Sequence, residues 1–210
     1  MEITATDTKQ METYASDIPE LVWATGPASY AYHFAERSLF DAIVLGSWRA
    51  DGTLFAADAT TLAVENGQLM GIEIGMPGTE YRARQRALGE IWQALLADGL
   101  LHQEDVAGVL ERSEYASWLN PVIHTDTYYI HALSVKPDFR GKRVGYHLLN
   151  AAMQRAREQG FAKLQLDVMS DNPAVDFYRA AGLELLAETT APKPAAGGVP
   201  PEYRMGIRLK

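Results

Sequence analysis

The sequence contains no cysteine. This absence excludes disulfide bonds, thiolate metal sites and a cysteine nucleophile, and it is compatible with a reducing compartment. No apolar run approaches the roughly 18 residues of a membrane span, and residues 1–10 lack the basic flank and apolar stretch of a signal peptide. We therefore expect a cytoplasmic protein that has no membrane partner.

Positive charge is also scarce. The chain has 19 Lys and Arg against 27 Asp and Glu, which gives a formal net charge of -8. Nucleic-acid binding is not expected, because phosphate neutralisation needs clustered basic side chains. The exception is local, since residues 136–143, KPDFRGKR, hold four of the 19 basic residues. A small polyanion fits such a short basic segment better than a duplex does.

The length of 210 residues and the hydrophobic content of 47% fit a single α/β domain over residues 1–210. Asn66-Gly67 lies between two apolar runs and predicts a β-hairpin. Residues 80–119 have helical periodicity and predict a helical insertion. Its two apolar faces would be formed by Leu88, Ile91, Trp92, Leu95 and Leu96, and by Val106, Val109, Leu110 and Trp118.

A βαβ unit is predicted further along the chain. The apolar runs DTYYIHALSV and KLQLDV read as strands, and residues 144–160 between them read as a helix. Arg140, Lys142 and Arg143 precede this helix, where each cation is unfavourable by about 0.3 to 1 kcal/mol unless an anion binds there. The alternative is that Lys142 and Arg143 form a solvated face. Neither G-x-G-x-x-G nor a P-loop motif is present.

From Tyr128 to about Leu186 the chain resembles the core of the GNAT superfamily of N-acetyltransferases. The resemblance rests on IHALSV, on the turn from Arg140 to Gly145 (RGKRVG), on LQLDV, and on NPAVDFYRAAGL. It implies a splayed mixed α/β sheet with helices on both faces. It also implies acetyl-CoA as cosubstrate, a primary amine as acetyl acceptor, direct attack without a covalent enzyme intermediate, and no metal.

The resemblance assigns roles to individual residues. The amides of the turn would hold the cofactor pyrophosphate, and the turn comprises Arg140, Gly141, Lys142, Arg143, Val144 and Gly145. The strand residues Leu133, Ser134 and Val135 would lie along the pantetheine arm. Asn172 would contact the cofactor, and Tyr178 would protonate the departing thiolate. Arg143 stands where the family most often has glycine, and we expect it in the first helical turn with φ near -60°.

A base for the amine is not singled out by the sequence. Glu73 and His131 are the two leading candidates. Asp126, at the entrance of the strand that carries His131, is a further acidic residue. The sequence does not decide whether the acceptor is a small amine or a peptide. It also leaves the oligomeric state open, and a homodimer is one possibility. A catalytically inactive module that binds acyl-CoA is the alternative function.

The acceptor pocket is expected beside the additions to the family core. The helical insertion would form its wall, and residues 191–202, which are rich in Pro and Gly, would form a mobile loop that caps it. Trp92 or Tyr115 would offer an aromatic face to the amine. Residues 203–209 alternate apolar and polar side chains and predict a last strand.

Overall fold

A seven-stranded mixed sheet organises the chain. The computed structural model describes residues 1–116 and 123–209. The strands run in the order β1-β2-β3-β4-β5-β7-β6; β4 and β5 are parallel, and the other neighbours are antiparallel. Their bounds are β1 Glu2–Ala5, β2 Thr60–Glu65, β3 Gln68–Pro77, β4 Thr127–Val135, β5 Lys163–Met169, β6 Glu184–Thr189 and β7 Glu202–Arg208.

Helices cover both faces of this sheet, as expected for the predicted mixed α/β fold. Helices α1 to α6 share one apolar core with β2, β3 and β4, whereas α7 and α8 share another with β4, β5 and β7. The helix bounds are α1 Thr8–Tyr14, α2 Ile18–Trp23, α3 Pro27–Phe34, α4 Arg37–Trp48, α5 Tyr81–Ala97, α6 Gln103–Ala116, α7 Val144–Glu158, α8 Ala174–Ala180 and α9 Pro192–Ala196. None of the helices in the described part of the chain is long and apolar enough to cross a membrane.

The predicted hairpin is confirmed between β2 and β3. Asn66 and Gly67 have φ of 51° and 75°, as the tight turns favoured between antiparallel strands require. The insertion is also confirmed as α5 and α6, although Trp118 and Leu119 lie outside the described residues. The βαβ unit is formed by β4, α7 and β5.

The central strands separate part of the way along the sheet. β4 pairs with β5 only from Thr127 to Ile130. β4 then continues to Val135 along β3, while β5 continues to Met169 along β7. The two strands therefore splay apart, and one edge of residues 131–135 has no neighbouring strand among the described residues. A cleft opens at this point.

A β-bulge in β4 coincides with the start of the splay. Ile74 of β3 pairs with Ala132, but the next residue, Gly75, pairs with Ile130, so His131 is the extra residue. A bulge interrupts the alternation of a strand. As a result, His131 and Ala132 both face the core formed with α1 to α6.

Two predictions about the later part of the chain need correction. Residues 191–202 are not an irregular loop throughout, because Pro192–Ala196 form α9, where prolines at the first positions are compatible with a helix. The sequence Asn172-Pro173 predicts a helix with Asn172 as its N-cap and Pro173 as its first residue. In the structure the helix begins at Ala174 with Pro173 at its N-cap, so Asn172 lies one residue before the cap. Its side-chain oxygen nevertheless accepts a hydrogen bond from the Ala174 amide, at 2.9 Å.

Candidate active site

The basic turn presents a set of free backbone donors. A short turn at Pro137–Phe139 follows β4, and α7 begins at Val144. Five amides donate no hydrogen bond to any group in the described part of the protein, namely those of Gly141, Arg143, Val144, Gly145 and Tyr146. Since the N-terminus of a helix also carries partial positive charge, this turn is suited to hold an anion.

Arg143 does not have the backbone conformation expected from the sequence. It is the N-cap of α7 and has φ 62° and ψ 13°, which is left-handed. The expectation of φ near -60° is therefore wrong. A side chain with a Cβ atom is strained there, and glycine, which the family most often has at this position, avoids that strain. The Arg143 carbonyl still accepts the His147 amide at 3.1 Å.

Gly145 lies where the turn meets the cleft. A Cβ atom at this position would lie 3.6 Å from Val135 Cγ2, 3.7 Å from Leu133 Cδ2 and 3.7 Å from Phe177 Cζ. Three elements therefore converge on this glycine, and a branched side chain would have to enter the space between them.

The three strand residues predicted to lie along the cofactor all line the cleft. Leu133, Ser134 and Val135 belong to the part of β4 that has separated from β5. The Val135 carbonyl accepts a hydrogen bond from Arg140 Nε at 3.2 Å. One basic side chain of the turn is thus folded back onto the edge of β4, whereas Lys142 is exposed and lies outside the cleft lining.

Tyr178 and Asn172 also line the cleft, on the side of α8. Tyr178 is buried, and burial raises the pKa of its hydroxyl, with the nearby Glu73 carboxylate adding to the rise. No described residue hydrogen-bonds that hydroxyl. Both polar atoms of the Asn172 side chain form hydrogen bonds. Its Oδ1 accepts from the Ala174 amide, and its Nδ2 donates to the Thr25 carbonyl at 3.2 Å. Asn172 therefore ties the break between α2 and α3 to the start of α8.

Of the two candidate bases, only His131 lies in the cleft. The bulge directs its ring toward Phe55, Tyr81 and Tyr129, at centroid distances of 5.2, 6.1 and 6.4 Å. Its Nε2 atom is buried and has no hydrogen-bond partner in the described part of the protein. Burial lowers the pKa of His131 to about 4, so the ring is neutral near pH 7 and can accept a proton.

Glu73, the other candidate base, is placed differently. Its side chain is fully buried and pairs with Arg155 of α7, and it does not line the cleft. Burial raises the pKa of Glu73, and the Arg155 charge opposes that rise. The carboxylate therefore belongs to the α7 face of the sheet. Asp126 is exposed and pairs with Lys163 at 2.9 Å, also outside the cleft.

The cleft is one continuous cavity of about 1610 Å³. It runs from the basic turn, past the splayed strands, to a chamber between α3, α5 and α6. Sequence reasoning missed Phe55, Tyr81 and Tyr129, which surround His131 in this cavity. Asp167 also lines the cavity and was missed. The sequence does carry a signal for it, because Asp167 is a charged residue within an apolar strand.

Asp167 is the centre of a buried polar network on the cleft wall. Its two oxygens accept Arg204 Nε at 2.9 Å and Nη2 at 2.8 Å, and Oδ2 also accepts the Tyr129 hydroxyl at 3.0 Å. A bidentate pair of this kind compensates both charges and fixes their geometry. Tyr129 is thus held firmly beside His131.

The residues predicted to form the acceptor pocket do not all line the cleft. Trp92 lines the cleft with other residues of α5 and α6, but Tyr115 does not. Of residues 191–202 only Glu202 reaches the lining, so this segment does not cap the cleft. It packs behind the wall, since Lys193 Nζ lies 3.4 Å from the centroid of the Tyr115 ring. No group of His, Asp and Glu in the described ranges could hold a metal ion.

The splayed sheet, the free amides of the turn and the cleft between them define an acyltransferase-type fold. Comparisons with known proteins agree. The sequence profile of the acetyltransferase (GNAT) family matches residues 21–183. The chain therefore belongs to the GNAT family of acetyltransferases.

Individual relatives are distant. An uncharacterized N-acetyltransferase of Methanocaldococcus jannaschii is 33% identical over 69 residues, which is 32% of this chain and 30% of the relative, so the match spans under a third of that protein. An N-acetyltransferase from Staphylococcus aureus Mu50 has a TM-score of 0.71 at 15% identity, covering 99% of this chain and 100% of the other. The PaiA N-acetyltransferase of Thermoplasma acidophilum, solved with coenzyme A, has a TM-score of 0.53 at 14% identity, covering 99% and 98%. Because these two structures are only 15% and 14% identical to the chain, their similarity establishes the fold alone.

Proposed function

We propose that the protein transfers an acetyl group from acetyl-CoA to a primary amine by direct attack. The observation that carries this proposal is the set of five free amides at the start of α7, at the mouth of a cleft bounded by an unpaired strand edge. The amides are suited to a pyrophosphate, and the edge of β4 is suited to an extended amide-containing arm. The residues present therefore fit this cosubstrate.

The reaction needs two proton movements. The amine nitrogen forms a bond to the thioester carbonyl carbon and loses a proton, and the carbon–sulfur bond breaks to release a thiolate that takes up a proton. A backbone amide of Leu133, Ser134 or Val135 would stabilise the negative charge on the carbonyl oxygen. No metal is required by this scheme.

Tyr178 would supply the proton to the thiolate. It lines the cleft, its hydroxyl has no described hydrogen-bond partner, and the raised pKa keeps it protonated at neutral pH. A buried thiolate is a strong base, so proton transfer from a tyrosine removes a charge from the cleft. Asn172 would hold α8 in place through Thr25 rather than act on the cofactor alone.

His131 would accept the proton from the amine, directly or through one water molecule. Its neutral ring and unpartnered Nε2 support this role. With its pKa lowered to about 4 by burial, the His131 imidazole is a weak base, and the positive charge that develops on the amine provides the driving force for the transfer.

The proposal is tested by titrating acetyl-CoA into the protein and by following thiol release with a panel of amines. Tyr178→Phe should keep the fold and the affinity for CoA while lowering turnover by about 10- to 1,000-fold, the range for loss of a positioned proton donor. Tyr32→Phe is the matched control, because Tyr32 lies outside the cleft lining. Unchanged turnover in Tyr178→Phe would remove this residue from the mechanism.

The alternative of an inactive module makes a different prediction. Such a module would show a rise in melting temperature with CoA and no thiol release with any amine. The strained Arg143 in place of the usual glycine is the feature that favours it, whereas the free hydroxyl of Tyr178 in the cleft favours catalysis.

A further inference from the structure

We infer that the acceptor is an amine with one positive charge carried on a large apolar body, such as an arylalkylamine, and not a polyamine. This inference rests on the proposed function and specifies the substrate class for the same cleft. It follows from the side chains that α3, α5 and α6 direct into the chamber beyond His131.

The walls of the chamber are mainly apolar, although α3, α5 and α6 also contribute Ser29, His33, Gln85, Gln93 and Ser113 to the lining. The helices and the segment before β2 contribute eight large apolar side chains to the lining: Phe34, Leu54, Phe55, Leu88, Trp92, Val106, Val109 and Leu110. Burying a phenyl-sized group among such side chains should raise the affinity by on the order of 10- to 100-fold. An apolar body on the amine would therefore be bound well.

The helical walls of the chamber carry few charges to match a polycation, and the carboxylates that line the cleft, Asp167, Asp171 and Glu202, lie on its β5 and β7 side. Helices α5 and α6 carry the carboxylates Glu90, Glu104, Asp105, Glu111 and Glu114, and none of these lines the cleft. Arg86 is the single charged residue that α3, α5 and α6 contribute to the lining among the described residues, and it is positive. A second or third ammonium group would be desolvated there without a counter-charge.

One cationic group can be recognised where the chamber meets β4. Tyr81 and Tyr129 pack edge to face, with centroids 5.2 Å apart, beside His131 and the Asp167 network. Aromatic faces and a nearby carboxylate attract an ammonium group. Arg204 compensates the Asp167 charge, but Glu202 of β7 also lines the cleft and lies close enough to raise the pKa of Tyr81 and Tyr129. This end of the chamber therefore suits a single ammonium group.

Gly89 gives a variant that changes the chamber without disturbing the fold. It lines the cleft, and a Cβ atom at this position would meet no atom within 4 Å. Gly89→Phe should therefore fill the chamber, and it also replaces a helix-interior glycine, which is favourable for the helix. Ala94→Phe is the matched control, because Ala94 is exposed on α5 and does not line the cleft.

The test compares kcat/KM for 2-phenylethylamine, ethylamine and spermidine, with acetyl-CoA as donor. The wild type should prefer 2-phenylethylamine to ethylamine by on the order of 10- to 100-fold, as expected for burial of the phenyl group, and should use spermidine poorly. Gly89→Phe should lower kcat/KM for 2-phenylethylamine about ten-fold more than kcat/KM for ethylamine, because only the larger amine needs the space that the new side chain fills. Ala94→Phe should behave as the wild type, and the KM for acetyl-CoA should be the same in all three proteins.

A peptide that begins with phenylalanine presents the same chemical group. A higher kcat/KM for Phe-Gly-Gly than for 2-phenylethylamine would indicate that the acceptor is a peptide. A higher value for 2-phenylethylamine would indicate a free amine, and either result supports the inference. A preference for spermidine, or equal rates on ethylamine and 2-phenylethylamine, would overturn the inference and leave acetyl transfer intact. Absence of thiol release with every amine would instead overturn the proposed function and this inference with it.

Discussion

Arg155 of α7 donates a hydrogen bond to the carboxylate of Glu73, which is completely buried in β3. The same guanidinium donates to the Tyr128 hydroxyl at 2.9 Å and to Thr61 Oγ1 at 2.7 Å. One side chain thus joins α7 to three strands of the sheet. This contact places Glu73 in the structural framework and leaves His131 as the candidate base in the cleft.

Glu73→Gln should destabilise the protein without altering its acid–base chemistry. Loss of the ion pair leaves Arg155 only partly compensated, and because that side chain is 30% exposed we expect a loss of about 2 kcal/mol in the free energy of unfolding. Urea denaturation measures the change, with Glu65→Gln as an exposed control. A shifted acid limb in the pH profile of kcat/KM would show that Glu73 takes part in catalysis.

Arg143→Gly should stabilise the protein. An L-residue in the left-handed region is disfavoured by about 1 to 2 kcal/mol, and the extra backbone entropy of glycine offsets part of the gain, so we expect a rise of about 0.5 to 1 kcal/mol. Lys142→Gly is the control, because Lys142 does not have positive φ and should lose stability. Urea denaturation of both variants measures the change in the free energy of unfolding. A fall in stability for Arg143→Gly would mean that the arginine side chain stabilises the turn.

Gly145→Val should weaken acetyl-CoA binding at least ten-fold, whereas Arg143→Gly should change it far less. The added methyl groups must enter the space between Val135, Leu133 and Phe177 and would displace the amides of the turn. Isothermal titration calorimetry of the two variants gives the dissociation constants. Greater damage from Arg143→Gly would show that the side chain, and not the backbone, binds the phosphate.

His131→Gln should reduce the acid sensitivity of the fold. Burial lowers the pKa of His131 from 6.5 to about 4, so the unfolded chain binds the proton first as the pH falls. The folded state is then destabilised between pH 6.5 and 4, and is unaffected by this group above pH 6.5. We expect the wild type to lose on the order of 1 to 2 kcal/mol more than the variant between pH 7 and pH 5.

Urea denaturation at the two pH values measures this difference. His124→Gln is the control, because His124 is exposed. Equal losses in the wild type and in His131→Gln would contradict the buried, neutral state assigned to His131.

Deletion of residues 192–199 should raise the KM for the amine several-fold and leave the KM for acetyl-CoA nearly unchanged. The segment supports the chamber wall from behind through Lys193 and Tyr115, and Gly197 lies against Tyr32 of α3. Its removal should loosen α3 and α6 but not the turn before α7. Steady-state kinetics with both substrates tests this; equal increases would mean that the segment supports the whole fold.

Local patterns explain why parts of the fold were predictable. The hairpin at Asn66-Gly67 depends on two residues that tolerate positive φ, and β4, α7 and β5 have periodicities that local sequence reveals. The short edge strands β1 and β6 and the helix α9 were not predicted. Each has few residues and depends on pairing or packing with distant segments, such as β6 with β7, so its local sequence carries little signal.

The sequence by itself determined the basic turn, the strand that leads into it, and the tyrosine of α8 that reaches the cleft, because each depends on neighbours within a few residues. Only the tertiary structure decided which of the two candidate bases lies in the cleft. Strand alternation alone cannot reveal a bulge, and the extra residue in β4 turns His131 toward the cleft. Glu73 is directed away from it because Arg155, 82 residues later in the chain, supplies the partner charge that a buried carboxylate requires.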